Sequence, residues 1–107
     1  PVSNIDKKVI LGNSFLNFAS KELINEFAVV ATAGTTNLGI IDDLKGIGSA
    51  AHERGIWFHV DGAYGLAALC APSVRSHFDG VEAADSLIVD PHKWLFAPYD
   101  ACALIYR

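Results

Sequence analysis

Short apolar runs separated by Gly, Asn, Asp and Pro set the rhythm of this chain. Val9-Ile10-Leu11 is one such run, and Gly12-Asn13 ends it. Phe15, Leu16, Ala19 and Leu23 then recur at helical spacing, which predicts a helix over residues 15–26. Residues 28–32 (Ala-Val-Val-Ala-Thr) are a continuous small and β-branched run, the pattern of a strand buried on both faces. Gly34-Thr35-Thr36-Asn37-Leu38-Gly39 reads as a loop. Asp42 is placed to cap the next helix, with Asp43 in its first turn. Leu44, Ile47 and Ala51 share one face of that helix, and Gly55 supplies a stop after Arg54. Gly46 and Gly48 weaken it, so packing rather than propensity must hold it.

The second half repeats the rhythm. Residues 56–60 (Ile-Trp-Phe-His-Val) form another apolar strand, ended by Asp61-Gly62. Residues 63–70 are small and apolar, Pro72 breaks them, and 73–77 allow one helical turn. Residues 86–89 (Ser-Leu-Ile-Val) give a further buried strand, followed by Asp90-Pro91-His92-Lys93-Trp94, and residues 101–106 a last one. Strand and helix alternate, and the strands are continuous runs, so the fold class is α/β with a mostly parallel sheet and flanking helices. Ligands of such sheets gather at the carboxyl ends of the strands. Thr35-Thr36, Asp61-Gly62-Ala63 and Asp90-Pro91-His92-Lys93 occupy that position.

Composition narrows the class. The 107 residues carry 12 acidic and 8 basic groups, a formal net charge of −4, without a basic cluster for phosphate backbones, so nucleic acid is not an expected partner. No apolar run approaches the roughly 20 residues that cross a bilayer, and no charged-then-apolar leader opens the sequence. Two separated cysteines, Cys70 and Cys102, make no disulfide framework, which favours a reducing, cytoplasmic setting. Hydrophobic residues reach 51% and charged residues only 19%, where roughly a quarter is usual. A small domain is mostly surface and should be more polar than average. The expectation is therefore an internal fragment, residues 1–107, of a larger domain, without a complete second domain.

Asp61 and Lys93 are the charged residues that close hydrophobic strands. Gly62 and Ala63 beside the carboxylate leave room for a flat ring to approach the backbone. A lysine in apolar surroundings would have its pKa lowered, which favours Schiff-base chemistry. A carboxylate for a pyridinium nitrogen and a lysine for an aldehyde are what a pyridoxal phosphate site requires of its protein. Taken singly, Asp61 capping a turn and Lys93 as a solvated loop lysine explain the same positions.

The ordered set is more specific than its parts. Ala31-Thr32-Ala33-Gly34-Thr35-Thr36, then His59-Val60-Asp61-Gly62-Ala63-Tyr64-Gly65, then Pro91-His92-Lys93-Trp94 resembles the group II pyridoxal-phosphate-dependent amino-acid decarboxylases. The likeness runs over residues 27–107 and includes residues 79–86 before the lysine motif. It implies the central part of a fold type I large domain. It also implies decarboxylation of an L-amino acid to its amine and CO₂ by the full-length parent, commonly a homodimer. By the same resemblance Lys93 would hold pyridoxal 5'-phosphate as a Schiff base and Asp61 would pair with the pyridine nitrogen. Ala63 would pack on the ring, and Thr36 would stand near cofactor and substrate. His92 would line the phosphate and substrate side and serve catalysis beside Lys93.

Two positions depart from the family pattern. Many relatives have Asn where this chain has Asp90, and a carboxylate there would repel a phosphate. Gly62 stands where relatives often have Ala, a change expected merely to loosen the turn. The family's phosphate loop, ring-stacking histidine and mobile proton-donor loop have no counterpart in these residues, so the piece alone is expected to be inactive. Other fold type I chemistry (carbon–carbon lysis, oxidative deamination, transamination) shares Asp61 and Lys93 and stays open. A metal-dependent hydrolase built on His59, Asp61 and His92 ranks lower, because Lys93 would repel the cation, and no resident metal is expected. His59 reads as a satisfied structural histidine, Trp57 and Trp94 as packing residues, and His52 and His77 as exposed.

Overall fold

Parallel strands advance across the sheet in chain order. The structure, a computed structural model, describes residues 8–11 and 26–107. Among them β1 is Lys8–Leu11, β2 Glu26–Thr32, α1 Leu44–Glu53, β3 Trp57–Asp61, β4 Ser86–Val89 and β5 Ala103–Tyr106. Three 3-10 helices, Gly65–Cys70, Arg75–Phe78 and Val81–Ala83, lie between β3 and β4. The helix expected over residues 15–26 lies outside the described residues, except that Glu26 opens β2. The turn expected over 73–77 is the 3-10 helix that begins at Arg75.

The sheet order is β1-β2-β3-β4-β5. β1 to β4 are parallel, and β5 closes the edge antiparallel to β4. This is the expected mostly parallel α/β sheet. The last strand starts at Ala103, two residues later than the apolar run does.

Packing decides which face is dry. α1 lies on one side of β2 and β3, and its Leu44, Ile47 and Ala51 join Val29, Ala31, Phe58 and Val60 in one core. Phe58 and Val60 are wholly buried. Burying each such side chain is worth about 1.5–3 kcal/mol, which offsets the weak helix propensity of Gly46 and Gly48. Gly48 also has a packing role: a Cβ there would come within 2.9 Å of the Phe58 ring. Gly55 follows the helix at φ +65°, the left-handed stop expected for it.

Two expectations change. Asp43, not Asp42, caps α1, its carboxylate accepting from the Gly46 amide at 2.9 Å. Asp42 instead turns back to accept from the Thr32 amide at 2.8 Å, fastening the β2 loop to its own strand. In β2 the adjacent Ala28 and Val29 are both buried, as expected of a strand covered on both faces, but β3 is not. Along β3 exposure alternates, with Phe58 and Val60 buried while Trp57 and Asp61 are exposed and His59 is half-buried. α1 covers one face only, so among the described residues the other face of β3 is open.

Candidate functional site

The carboxyl ends of β2, β3 and β4 meet along one edge of the sheet. In register, Thr32 stands beside Asp61 and Asp61 beside Ile88. Past the strand ends the backbone stays joined: the Ala33 amide donates to the Asp61 carbonyl at 2.7 Å, and the Gly62 amide to the Ile88 carbonyl at 3.1 Å. The edge is therefore a rigid line from which three loops depart. They are the three loops the sequence singled out.

Ala63 ties two of these loops together. Its amide donates to Asp61 Oδ1 at 3.2 Å, and its carbonyl accepts from the Asp90 amide at 3.1 Å. The Asp90 turn then closes with the Lys93 amide donating to the Asp90 carbonyl at 3.0 Å. Asp61 and Lys93 thus come to adjacent places, close enough for the Asp61 charge to help hold the Lys93 proton. Both are exposed, and Ala63 between them is half-buried.

Lys93 does not have the environment expected of it. Its side chain is 38% exposed and its Nζ lies 2.8 Å from Asp90 Oδ2. The hydrogen bond that Lys93 donates to Asp90 pushes the lysine pKa up, and partial desolvation opposes it without prevailing. The expected lowering is thereby overturned. Asp90 is held below the usual carboxylate range, first by the Lys93 hydrogen bond and next by the Cys102 thiol. The thiol in turn is pushed up by the same carboxylate. Asp90 itself is 9% exposed, and its Oδ1 is buried without a hydrogen-bond partner among the described residues.

The remaining candidates lie nearby but are differently engaged. Thr36 is exposed in the β2 loop, whose bend is fixed by Thr35, with Oγ1 accepting from the Ile40 amide at 3.1 Å. His92 turns its Nδ1 to the backbone of Ala101 and packs edge-on to Tyr99 at 4.9 Å. His59 Nδ1 meets Ser86 Oγ at 2.7 Å, the satisfied structural state expected of it. The Nδ1 atoms of His59 and His92 are thus engaged by Ser86 and by the Ala101 backbone. Among the described residues no three His, Cys, Asp or Glu side chains converge as metal ligands.

Several partners were not legible in the sequence. Ser86 also accepts from Trp57 Nε1 at 2.9 Å, so one hydroxyl satisfies two rings on the open face. Trp94 stacks on Tyr64 with ring centres 5.5 Å apart and planes within 8°. Those pairs are far apart along the chain, and no local spacing announces them. Gly62 has a tighter role than expected: a Cβ there would lie 2.3 Å from the Leu66 Cβ, so glycine lets the following helix fold against the strand end. Gly34 and Gly65 likewise allow two loops to touch, since a Cβ on Gly65 would sit 2.4 Å from the Ala33 carbonyl oxygen.

Comparison with known proteins places this geometry. Residues 11–107 match the family described as the pyridoxal-dependent decarboxylase conserved domain, reaching further toward the start of the chain than the motifs did. The aromatic-L-amino-acid decarboxylase of Bacillus atrophaeus is 45% identical over 80 residues, which cover 74% of this chain and 17% of that protein. The 4-hydroxyphenylacetaldehyde synthase of Rhodiola rosea is 45% identical over 78 residues, 73% of this chain and 16% of the relative. Its crystal structure superposes with a TM-score of 0.71 over 76% of this chain and 17% of that one. Oryza sativa TDC, solved with PLP and tryptamine, superposes with a TM-score of 0.72 at 39% identity, over 77% of this chain and 17% of that one. The chain thus spans about a sixth of the length of these relatives.

Proposed function

The chain belongs to the pyridoxal-dependent decarboxylase family, and on that premise we propose that it is the central, lysine-bearing part of a pyridoxal phosphate-binding large domain. The full-length protein would release CO₂ from an L-amino acid and leave the amine. The observation that supports this reading is the placement of Asp61 at the end of β3 beside the Asp90–Lys93 turn that follows β4, the two loops joined by the hydrogen bonds of Ala63 to Asp61 Oδ1 and from the Asp90 amide. The residues fit the ring and aldehyde of the cofactor. An exposed carboxylate, an exposed amine and a small side chain between them leave a flat ring unobstructed.

Each residue has a task in that reading. Lys93 would hold the cofactor through its Nζ. Asp61 keeps a proton on the pyridine nitrogen, because an anion close to that nitrogen favours its charged form. Ala63 would offer its methyl to the ring, and Thr36 would offer a hydroxyl from the β2 loop. His92 lines the same edge and fixes the turn through Ala101. When bound, pyridoxal phosphate supplies an electron sink for the pair released as the carboxylate departs. Asp90 takes no part in holding the phosphate, since its charge has the wrong sign and is directed to Lys93. A homodimer working in the cytoplasm belongs to the same proposal, by the family resemblance.

Borohydride reduction of the full natural chain with pyridoxal phosphate, followed by peptide mapping, tests the assignment. A stable adduct on Lys93 is expected. An adduct on another lysine, or none, overturns it. A second reading is favoured by the equal likeness to an aldehyde synthase, in which the same residues would serve a reaction ending in an aldehyde. A product assay separates the two: amine with CO₂, or aldehyde.

A further inference from the structure

Asp90 opens the turn that carries Lys93, and the structure gives its carboxylate a definite target. Oδ2 lies 2.8 Å from Lys93 Nζ, and the turn that brings them together is closed by the Lys93 amide on the Asp90 carbonyl. The Asp90 side chain is 12% exposed and that of Lys93 38%, so the anion is the more fixed partner and the lysine the more movable one. Asp90 Oδ1 has no hydrogen bond among the described residues, and of the groups that act on the carboxylate Lys93 has the largest effect, ahead of the Cys102 thiol.

We propose that Asp90 is a positioning residue that holds Lys93 as an ammonium ion in the turn, so that the lysine becomes a nucleophile only when this contact opens and its proton leaves. This rests on the reading of Lys93 as the lysine that carries the cofactor. In the step concerned, the Asp90 contact opens, the Nζ proton passes to solvent water, the freed amine forms the C=N bond with an aldehyde carbon, and the carbonyl oxygen takes up the two remaining amine protons and leaves as water. An amide at position 90 would hold the nitrogen by a hydrogen bond but not its positive charge.

Other groups face Lys93 and act in the same direction. Asp61 from the end of β3 and the Cys102 thiol before β5 both favour its proton. His92 acts on Asp90, and Asp100 on Cys102. Asp90 is the one in hydrogen-bond contact, and its influence on Lys93 is the largest.

The test is the pH profile of Lys93 acylation by acetic anhydride in the cofactor-free full chain, read by mass spectrometry. Asp90→Asn should move the midpoint down by half to one pH unit, a roughly three- to tenfold faster reaction at neutral pH. Asp90→Glu should restore the midpoint. A structural role alone would alter the alkaline plateau through exposure and leave the midpoint in place, which would overturn the proposal. Should Asp90→Asn fail to fold, added salt on the unmodified chain supplies the second measurement. Screening should lower the midpoint, and an unmoved midpoint counts against the proposal. Borohydride trapping with pyridoxal phosphate, run alongside, distinguishes the failures. No adduct on Lys93 sinks the assignment of the lysine, whereas an adduct with an unmoved midpoint sinks only the role of Asp90.

Discussion

Adjacent residues of β3 live in different worlds. Phe58 and Val60 face α1 and are wholly buried, while Trp57 and Asp61 face the other way and are exposed. One side carries apolar side chains that only need to fit. The other carries Trp57, His59 and Ser86 joined by hydrogen bonds, with Asp61 at its end. Because side chains alternate along a strand, one short segment serves as core on one face and presents chemistry on the other. Stability and function are separated by a single residue step.

Substitutions on the two faces should therefore fail differently. The largest effect expected is functional: Lys93→Ala should abolish the borohydride-trapped cofactor adduct while the chain still unfolds cooperatively, its denaturation midpoint lowered only by the loss of the Asp90 ion pair. Loss of folding with loss of the adduct would mean that the edge is not separable from the core. Next, Phe58→Ala should cost about 3–5 kcal/mol of stability by opening a cavity under α1. Trp57→Ala on the open face should cost clearly less, and urea unfolding of the two variants measures the contrast. Equal losses would show that the open face is as tightly packed as the covered one.

Ser86→Ala is a smaller perturbation. It strands the Trp57 indole N–H and unpairs His59 Nδ1, for about 1–3 kcal/mol. The Trp57 fluorescence should change as its hydrogen bond is lost, and an unchanged spectrum would deny the contact. The smallest effect belongs to the Asp90–Lys93 pair. The Asp90 pKa is depressed, so its contribution is present above the unfolded carboxylate value near 3.8 and disappears as pH falls through the lower folded value. The Lys93 pKa is raised, so its contribution is present below 10.5 and disappears as pH rises through the higher folded value. Stability should thus be flat at neutral pH and fall slightly at both extremes, and Asp90→Asn should remove both slopes.

Much of the site was legible because it lies in short stretches. Asp61-Gly62-Ala63 and Asp90-Pro91-His92-Lys93 each come directly after an apolar run, and a strand in a parallel sheet delivers the residues after it to the carboxyl edge. Less was legible where two stretches must meet. The lysine was expected to be desolvated, yet the turn placed Asp90 on it and reversed the shift. The cap of α1 moved from Asp42 to Asp43 because the Thr32 amide engages Asp42. The glycine after Asp61 proved to be a packing requirement set by Leu66.

The sequence by itself determined the strands, the α/β class, the family and the order in which Thr36, Asp61 and Lys93 reach the sheet edge. These come from local periodicity and from motifs whose members are close in the chain. Only the tertiary structure decided which face α1 covers, which partner His59 takes and how Lys93 is charged. Those outcomes depend on distances between side chains brought together by the sheet register and by close backbone approaches such as Gly34 to Gly65. A pKa responds to the nearest charge in space, and a sequence orders its charges only along the chain.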